Sequence, residues 1–362
     1  MSNENGTRSP LRFGLIGLGY WGPNLLRVIA DMQDTEVKWI CDLDDQRLER
    51  FGRRYPSSTQ TTDVNMLLED PELDAIVIAT PVFTHFDLAS KALRAGKHTF
   101  VEKPLASSSA EANQLLRLAE IEAKTLMCGH TFIYSPPVRA VKTLLDAGEL
   151  GEIFFVSSSR VNLGLHQPDV SVIWDLGPHD FSILLHWLGE TPRRVRAVGR
   201  DSIVPGIPDV AFITLNYDSG IVANVELSWL APSKLRRTVV VGSQKMVVYD
   251  DGAPEPVRVF DHGVVYKDPE TFGEHQLSYR TGDILSPKID SCEPLLEELS
   301  DFAAAIRSGG EPLAGAAMAR DVVNLVEAAD RSLQEGGAEI EIESGASEEI
   351  FLRSRRHQLA VG

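Results

Sequence analysis

Short apolar runs separated by amphipathic stretches dominate the first third of the chain. Phe13-Gly14-Leu15-Ile16, Val37-Lys38-Trp39-Ile40-Cys41 and Asp74-Ala75-Ile76-Val77-Ile78-Ala79 read as strands, because a strand covered on both faces has few polar positions. Helical spacing follows the first run at Pro23 to Ala30, and returns from Phe86 to Ala95, where Gly96 stops it. Lys97 to Val101 predicts a further strand. Ser107-Ser108-Ser109 offer caps for a helix reaching about Ala123, and Thr125 to Cys128 predicts a sixth strand. Strands alternating with helices imply an α/β domain built on a parallel sheet.

The texture changes near residue 131. Pro136-Pro137 opens a helix that ends near Gly148, a strand follows from Glu152 to Val161, and a helix runs from about Trp174 to Gly189. From Arg193 to Phe260 β-formers alternate with polar residues, and Asp218-Ser219-Gly220 and Asp250-Asp251-Gly252 mark turns. This predicts an antiparallel or mixed open sheet in a second, α+β domain. Phe260 to Asp290 is polar and weakly patterned and reads as a long excursion. Helical periods at Pro294 to Arg307 and Ala314 to Gln334 precede a short strand, Glu339 to Ile342. The expected organisation is a flexible tail over 1–10, a first domain over 11–131 and a second over 132–362.

The 362 residues suit two domains. A formal net charge of -17 argues against sequence-independent binding to nucleic acid or anionic membrane. No apolar run is long enough to span a bilayer, and the polar stretch Met1 to Pro10 lacks the apolar core of a signal peptide. Cys41, Cys128 and Cys292 are scattered, forming neither a disulfide framework nor a zinc set. A cytoplasmic location is expected.

The chemistry begins at Gly17-Leu18-Gly19-Tyr20-Trp21-Gly22, which follows the first strand and opens the first helix. Gly17 allows the tight turn, Gly19 lets backbone approach a pyrophosphate, and Gly22 lets helix pack close to strand. The helix N–H groups then face the phosphates. Asp42 ends the second strand, where a carboxylate accepts both ribose hydroxyls and repels a 2′-phosphate. Position 43 holds neither Arg nor Ser, so NAD(H) is expected over NADP(H).

Parallel sheets bind ligands at the carboxyl ends of their strands. Three polar sets fall there: Thr80-Pro81 with His85, Glu102-Lys103-Pro104, and Gly129-His130 with Tyr134. Lys103, held between an acid and a proline, suits stabilising an alkoxide, or else pairs with Glu102 as an ordinary ion pair. In the second domain Asp175 and His179 are four apart and share a helix face. Histidine titrates near neutral pH and can shuttle a hydroxyl proton; a helix-start acid and a satisfied histidine is the other reading. His186 lies on the same face, but further ligands at metal spacing are absent, and no metal is expected. Arg160 and Asn162 share a strand face. Lys234, Arg236 and Arg237 form a basic knot that suits a substrate phosphate or carboxylate, or a solvated surface.

Taken in order, Gly17-x-Gly19-x-x-Gly22, Asp42, Ala79-Thr80-Pro81 with His85, Glu102-Lys103-Pro104 and Asp175-x-Gly177-x-His179 resemble the glucose–fructose oxidoreductase/inositol dehydrogenase (Gfo/Idh/MocA) family over nearly the whole chain. The resemblance implies an N-terminal Rossmann domain. It also implies a C-terminal domain with a large, mostly antiparallel sheet that forms a homodimer or homotetramer interface. Lys103, Asp175 and His179 would be catalytic and flank the nicotinamide. From their own positions, Gly17, Gly19, Tyr20, Trp21, Gly22, Asp42, Thr80, Pro81, His85, Glu102 and Lys103 are expected to contact NAD(H), and His130, Tyr134, Arg160, Asn162, Lys234 and Arg237 the substrate. Val82 stands where many members have Asn, and the segment after the sixth strand lacks an arginine that many relatives carry. Trp21-Gly22-Pro23-Asn24, Val161-Asn162-Leu163-Gly164 and Trp174 to Asp180 resemble a subgroup tied to nucleotide-sugar and surface-polysaccharide biosynthesis.

The expected activity is NAD(H)-dependent interconversion of a secondary alcohol and ketone of a sugar or nucleotide sugar. The competing readings are a free inositol or hexose dehydrogenase, glycoside cleavage through a keto-sugar, retention of one cofactor through paired half-reactions, reduction of another kind of substrate, and a catalytically silent dinucleotide sensor.

Overall fold

A computed structural model of the chain describes residues 9–164, 170–266 and 277–342. Most of the expected tail over 1–10 therefore lies outside the described residues. The chain forms two compact units: residues 1–134 with 292–323, and residues 135–291 with 324–362.

The first unit opens with β1 (Leu11–Ile16), α1 (Gly22–Asp31), β2 (Thr35–Cys41), α2 (Asp45–Arg54), β3 (Thr59–Thr61) and α3 (Asn65–Leu68). It continues with β4 (Ala75–Ile78), α4 (His85–Arg94), β5 (His98–Val101), α5 (Ser109–Ile121) and β6 (Leu126–Cys128). The strands make one parallel sheet in the order β3-β2-β1-β4-β5-β6. β4 is buried at every position, as its unbroken apolar run requires. Order reverses between β1 and β4, which places the ligand crevice of a doubly wound sheet at their carboxyl ends. Caps follow the sequence closely. Ser108 Oγ accepts from the Glu111 N–H at 3.2 Å to start α5, and Asp44 Oδ1 accepts from the Gln46 N–H at 2.9 Å to start α2.

In the second unit are α6 (Pro136–Asp146), β7 (Ile153–Leu163), α7 (Val172–Leu188), β8 (Arg194–Arg200), β9 (Val210–Asn216) and β10 (Val222–Ser228). β11 (Leu230–Gly242), β12 (Met246–Asp250), β13 (Val257–Tyr266) and β14 (Leu277–Leu285) follow. These strands and β15 (Ile340–Glu341) form a nine-stranded sheet, β14-β13-β12-β11-β7-β10-β9-β8-β15. Its pairings are antiparallel except β7 with β10. Ala211, Ile213, Leu215, Ala223, Val225 and Leu227 point inward and are fully buried, and α7 packs on β7, β9 and β10. The opposite face is bare at Phe155, Phe212, Val222 and Val198, all exposed.

Two expectations need correcting. Phe260 to Asp290 is not an excursion, because its described residues carry the end of β13 and all of β14, paired from Val259↔Leu285 to Tyr266↔Leu277. The final helical pair also does not lie wholly in the later unit. α8 (Pro294–Ser308) and the start of α9 (Ala316–Gln334) complete the first unit, where Phe302 packs edge-on against Phe13 and Phe100, with ring centroids 6.2 and 5.8 Å apart.

Candidate active site

The glycine turn is fixed by backbone contacts. Gly17 has φ +98°, a conformation that favours glycine, and a Cβ there would come within 2.5 Å of the Ala79 carbonyl oxygen. A Cβ on Gly22 would meet the Gly17 carbonyl oxygen at 1.9 Å. One on Gly19 would meet nothing within 4 Å. The turn is thus closed against the sheet and open on the side where a pyrophosphate would approach. α1 starts with no side-chain cap and no acid in its first turn, so its N–H groups are available to an anion. Tyr20 and Trp21 stand exposed beside it, edge to face at 5.7 Å.

Asp42 is anchored at the same turn. Its Oδ2 accepts from the Leu18 N–H at 2.6 Å and its Oδ1 from the Asp44 N–H at 2.8 Å. Arg47 reaches both Asp42, at 3.8 Å, and Asp44, at 3.3 Å. An open cradle, an uncapped helix start and a fixed carboxylate fit a dinucleotide.

β4 delivers Thr80, whose Oγ1 shares a hydrogen bond with Thr84 Oγ1 at 2.6 Å, and Pro81, which is exposed. His85 is buried, and its ring nitrogens meet the carbonyls of Thr80 and Pro104. It supports these turns from behind rather than facing a ligand. β5 delivers Glu102 and Lys103. Glu102 is buried, its Oε2 accepts from the Lys103 N–H at 3.2 Å, and burial pushes its pKa up to about 7 against the opposing pull of the Lys103 charge.

The set beyond β6 lies deeper than expected. His130 is buried, and neither ring nitrogen has a hydrogen-bond partner among the described residues. Burial, reinforced by the Lys103 charge, pushes its pKa down to about 3, so the ring is neutral. Tyr134 is also buried. Its hydroxyl donates to Asp301 Oδ2 at 2.6 Å and accepts from the Ala314 N–H at 3.1 Å, tying the turn to α8 and its connection. Nothing in the sequence near Tyr134 announces Asp301. Glu298 was likewise missed: it is buried, accepts from Thr131 Oγ1 at 2.7 Å, and burial raises its pKa well above the usual carboxylate range.

In the second unit α7 carries Asp175 and His179 one turn apart. Asp175 Oδ2 accepts from the Trp229 indole N–H at 3.1 Å, and Trp229 is buried between β10 and β11. Trp229 was missed, because nothing in its local sequence marks it as a partner of Asp175. Arg160 has a different setting from the ligand-facing one expected. It is buried and its Nε donates to Asp180, whose other oxygen accepts from Ser158 Oγ at 2.7 Å. Even-numbered β7 positions point toward the helix layer, and a charge there needs a buried counter-charge. Asn162 shares that face, and its Oδ1 has no hydrogen-bond partner among the described residues. On β11 Lys234 is exposed and Arg236 pairs with Asp251 at 3.0 Å, whereas Arg237, expected to meet substrate, lies opposite Ser159 in the row of Glu226 and Phe212 and so falls on the bare sheet face, away from α7.

Family models agree with both halves of the chain. Residues 11–130 match a model described as an oxidoreductase family with an NAD-binding Rossmann fold, and residues 138–248 match one described as the GFO/IDH/MocA C-terminal domain. Inositol 2-dehydrogenase of Rhizobium meliloti is 26% identical over 336 residues, covering 90% of this chain and 97% of that one. GenD2 from gentamicin A biosynthesis, solved with NAD, matches with a TM-score of 0.78 at 23% identity, over 93% of this chain and 97% of that one. UDP-N-acetylglucosamine 3-dehydrogenase GnnA of Acidithiobacillus ferrooxidans gives 0.75 at 24%, over 91% and 99%. At those identities the two solved structures speak for the fold alone. No described helix is long and apolar enough to cross a membrane.

Proposed function

This chain belongs to the Gfo/Idh/MocA family of NAD-binding oxidoreductases, and from that premise we propose that it interconverts a secondary alcohol and a ketone on a sugar or nucleotide sugar. The observation that carries the reading is the strand-end lysine: Lys103 leaves β5 on the sheet whose neighbouring strand ends feed an open dinucleotide turn. A bound nicotinamide supplies the hydride acceptor or donor. Gly17, Gly19 and Gly22 admit the pyrophosphate and Asp42 the adenosine ribose. Thr80, Pro81 and Glu102 line the nicotinamide end.

Lys103 donates to the substrate oxygen and stabilises alkoxide charge as it develops. His179 takes the hydroxyl proton on oxidation and returns it on reduction. Asp175, itself held by the Trp229 indole, orients His179. Lys234 remains exposed to meet a substrate phosphate. The relatives' names set the first choices for assay: inositol for the inositol 2-dehydrogenase, UDP-N-acetylglucosamine for GnnA. The test is NAD+ reduction, followed by NADH absorbance, across UDP-, GDP- and dTDP-sugars, inositols and free hexoses. Turnover confined to one sugar class names the substrate, and silence across the whole panel favours a dinucleotide sensor.

The same family membership supports a homodimer or homotetramer formed through the bare sheet face. Cross-strand rows put Phe155 beside Val222, and Phe212 beside Val198, giving that face an apolar surface of the kind that protein interfaces cover.

A further inference from the structure

His85 begins α4 and is buried, with 1% of its surface exposed. Its Nδ1 lies 2.8 Å from the Pro104 carbonyl oxygen and its Nε2 lies 2.8 Å from the Thr80 carbonyl oxygen. Those carbonyls belong to the two turns that leave β4 and β5. One turn carries Thr80-Pro81 and the other carries Lys103-Pro104. A polar ring is tolerated in such a buried place only when its bonds replace those lost to water. An apolar side chain would fill the space and join neither turn.

We propose that His85 is a positioning residue for the reaction: it ties the Thr80 carbonyl to the Pro104 carbonyl and so sets the nicotinamide-lining turn against Lys103. The inference rests on the roles proposed above for those two turns. Both partners are carbonyls, which only accept, while a neutral imidazole has a single N–H. Burial favours that neutral ring. The neutral ring therefore donates to one carbonyl at a time, and its tautomer sets which turn it holds. His85 thereby couples the turns as well as bracing them.

Two amide substitutions separate the arms of the tie. In His85→Asn the amide nitrogen falls near the place of Nδ1 and serves Pro104, whereas in His85→Gln it falls near the place of Nε2 and serves Thr80. His85→Leu fills space and serves neither. Three readouts are taken on folded protein: NADH affinity by fluorescence, amide deuterium exchange over 80–84 and 102–106, and kcat with the sugar found active in the panel. His85→Asn should keep kcat within about threefold, protect 102–106 and weaken NADH binding. His85→Gln should keep NADH affinity, protect 80–84 and lose about tenfold or more in kcat, since small misplacements of a reacting group are costly. His85→Leu should show both losses.

Equal behaviour of all three variants in exchange and NADH affinity would overturn the tie and leave His85 a space filler. These two arms need no sugar, so they decide the question even if the panel yields no substrate. Lys103→Ala separates the two layers of the argument. If it turns over normally, the functional reading falls while an exchange split still stands; if it is inactive and the split is missing, only the tie falls. Should the variants fail to fold, wild-type protein with 15N-labelled histidine gives the answer: His85 must show a ring N–H protected from solvent, and a freely exchanging ring defeats the proposal.

Discussion

Lys103 and His179 are each expected to matter to the chemical step and not to the adenosine half of the cofactor. Replacing either with alanine should lower kcat by at least about a hundredfold while the Kd for NADH, by fluorescence titration, stays within about threefold. Normal turnover in both variants removes their roles. Glu102 makes a separate prediction about pH. Burial raises its folded pKa to about 7 from the ordinary 4.5. Between those values the native state holds a proton that the unfolded chain has released, so this residue makes stability fall as pH rises through the window. Glu102→Gln cannot titrate, and its stability relative to wild type should improve from pH 5 to pH 8 in urea denaturation; a constant difference would show that Glu102 titrates normally. The positions of the glycine turn, Asp42 and Lys103 were legible in the sequence because each depends only on its own strand end or turn. Arg160 was not, because strand alternation shows that two residues share a face without showing which face buries a partner. Asp180, twenty positions away, decides that.

At the level of elements, boundaries followed caps and breakers closely: Ser108 starts α5, and Gly189 ends α7 in a left-handed conformation with φ +65°. The edge strand β14 and the end of β13 beside it escaped notice because an edge strand needs no continuous apolar face, and polar alternation there looks like loop. Tyr134 was read as a substrate contact from its place beyond β6, yet its hydroxyl bridges Asp301 and the Ala314 N–H. Tyr134→Phe leaves that buried N–H without its acceptor and should cost about 1–3 kcal/mol of stability, measured by urea denaturation, with KM and NADH affinity unchanged. A raised KM at unchanged stability would return Tyr134 to the substrate side.

Across the whole molecule, the open sheet face and the interleaved units each make a claim. Phe212→Glu replaces an exposed aromatic on the bare face with an acid opposite Glu226 and should shift the protein toward monomer in light scattering after size exclusion, with the fold retained by circular dichroism. An unchanged mass would place the interface elsewhere, or show that the protein does not associate. The first unit draws on two separated stretches, so a fragment ending at residue 134 should fail to give a cooperative thermal transition. Joining residues 292–323 to it through a flexible linker should restore both the transition and NADH binding. Phe302 is the reason: it is fully buried on Phe13 and Phe100, and truncation exposes that surface.

The return of α8 also bears on how the protein is made. A nascent Rossmann sheet would leave the ribosome with part of its apolar surface uncovered, and would wait while the intervening segment is synthesised, a delay on the order of ten seconds at ordinary rates of synthesis. During translation the first half to emerge would thus be among the last to finish folding, and in that interval chaperones have their clearest target.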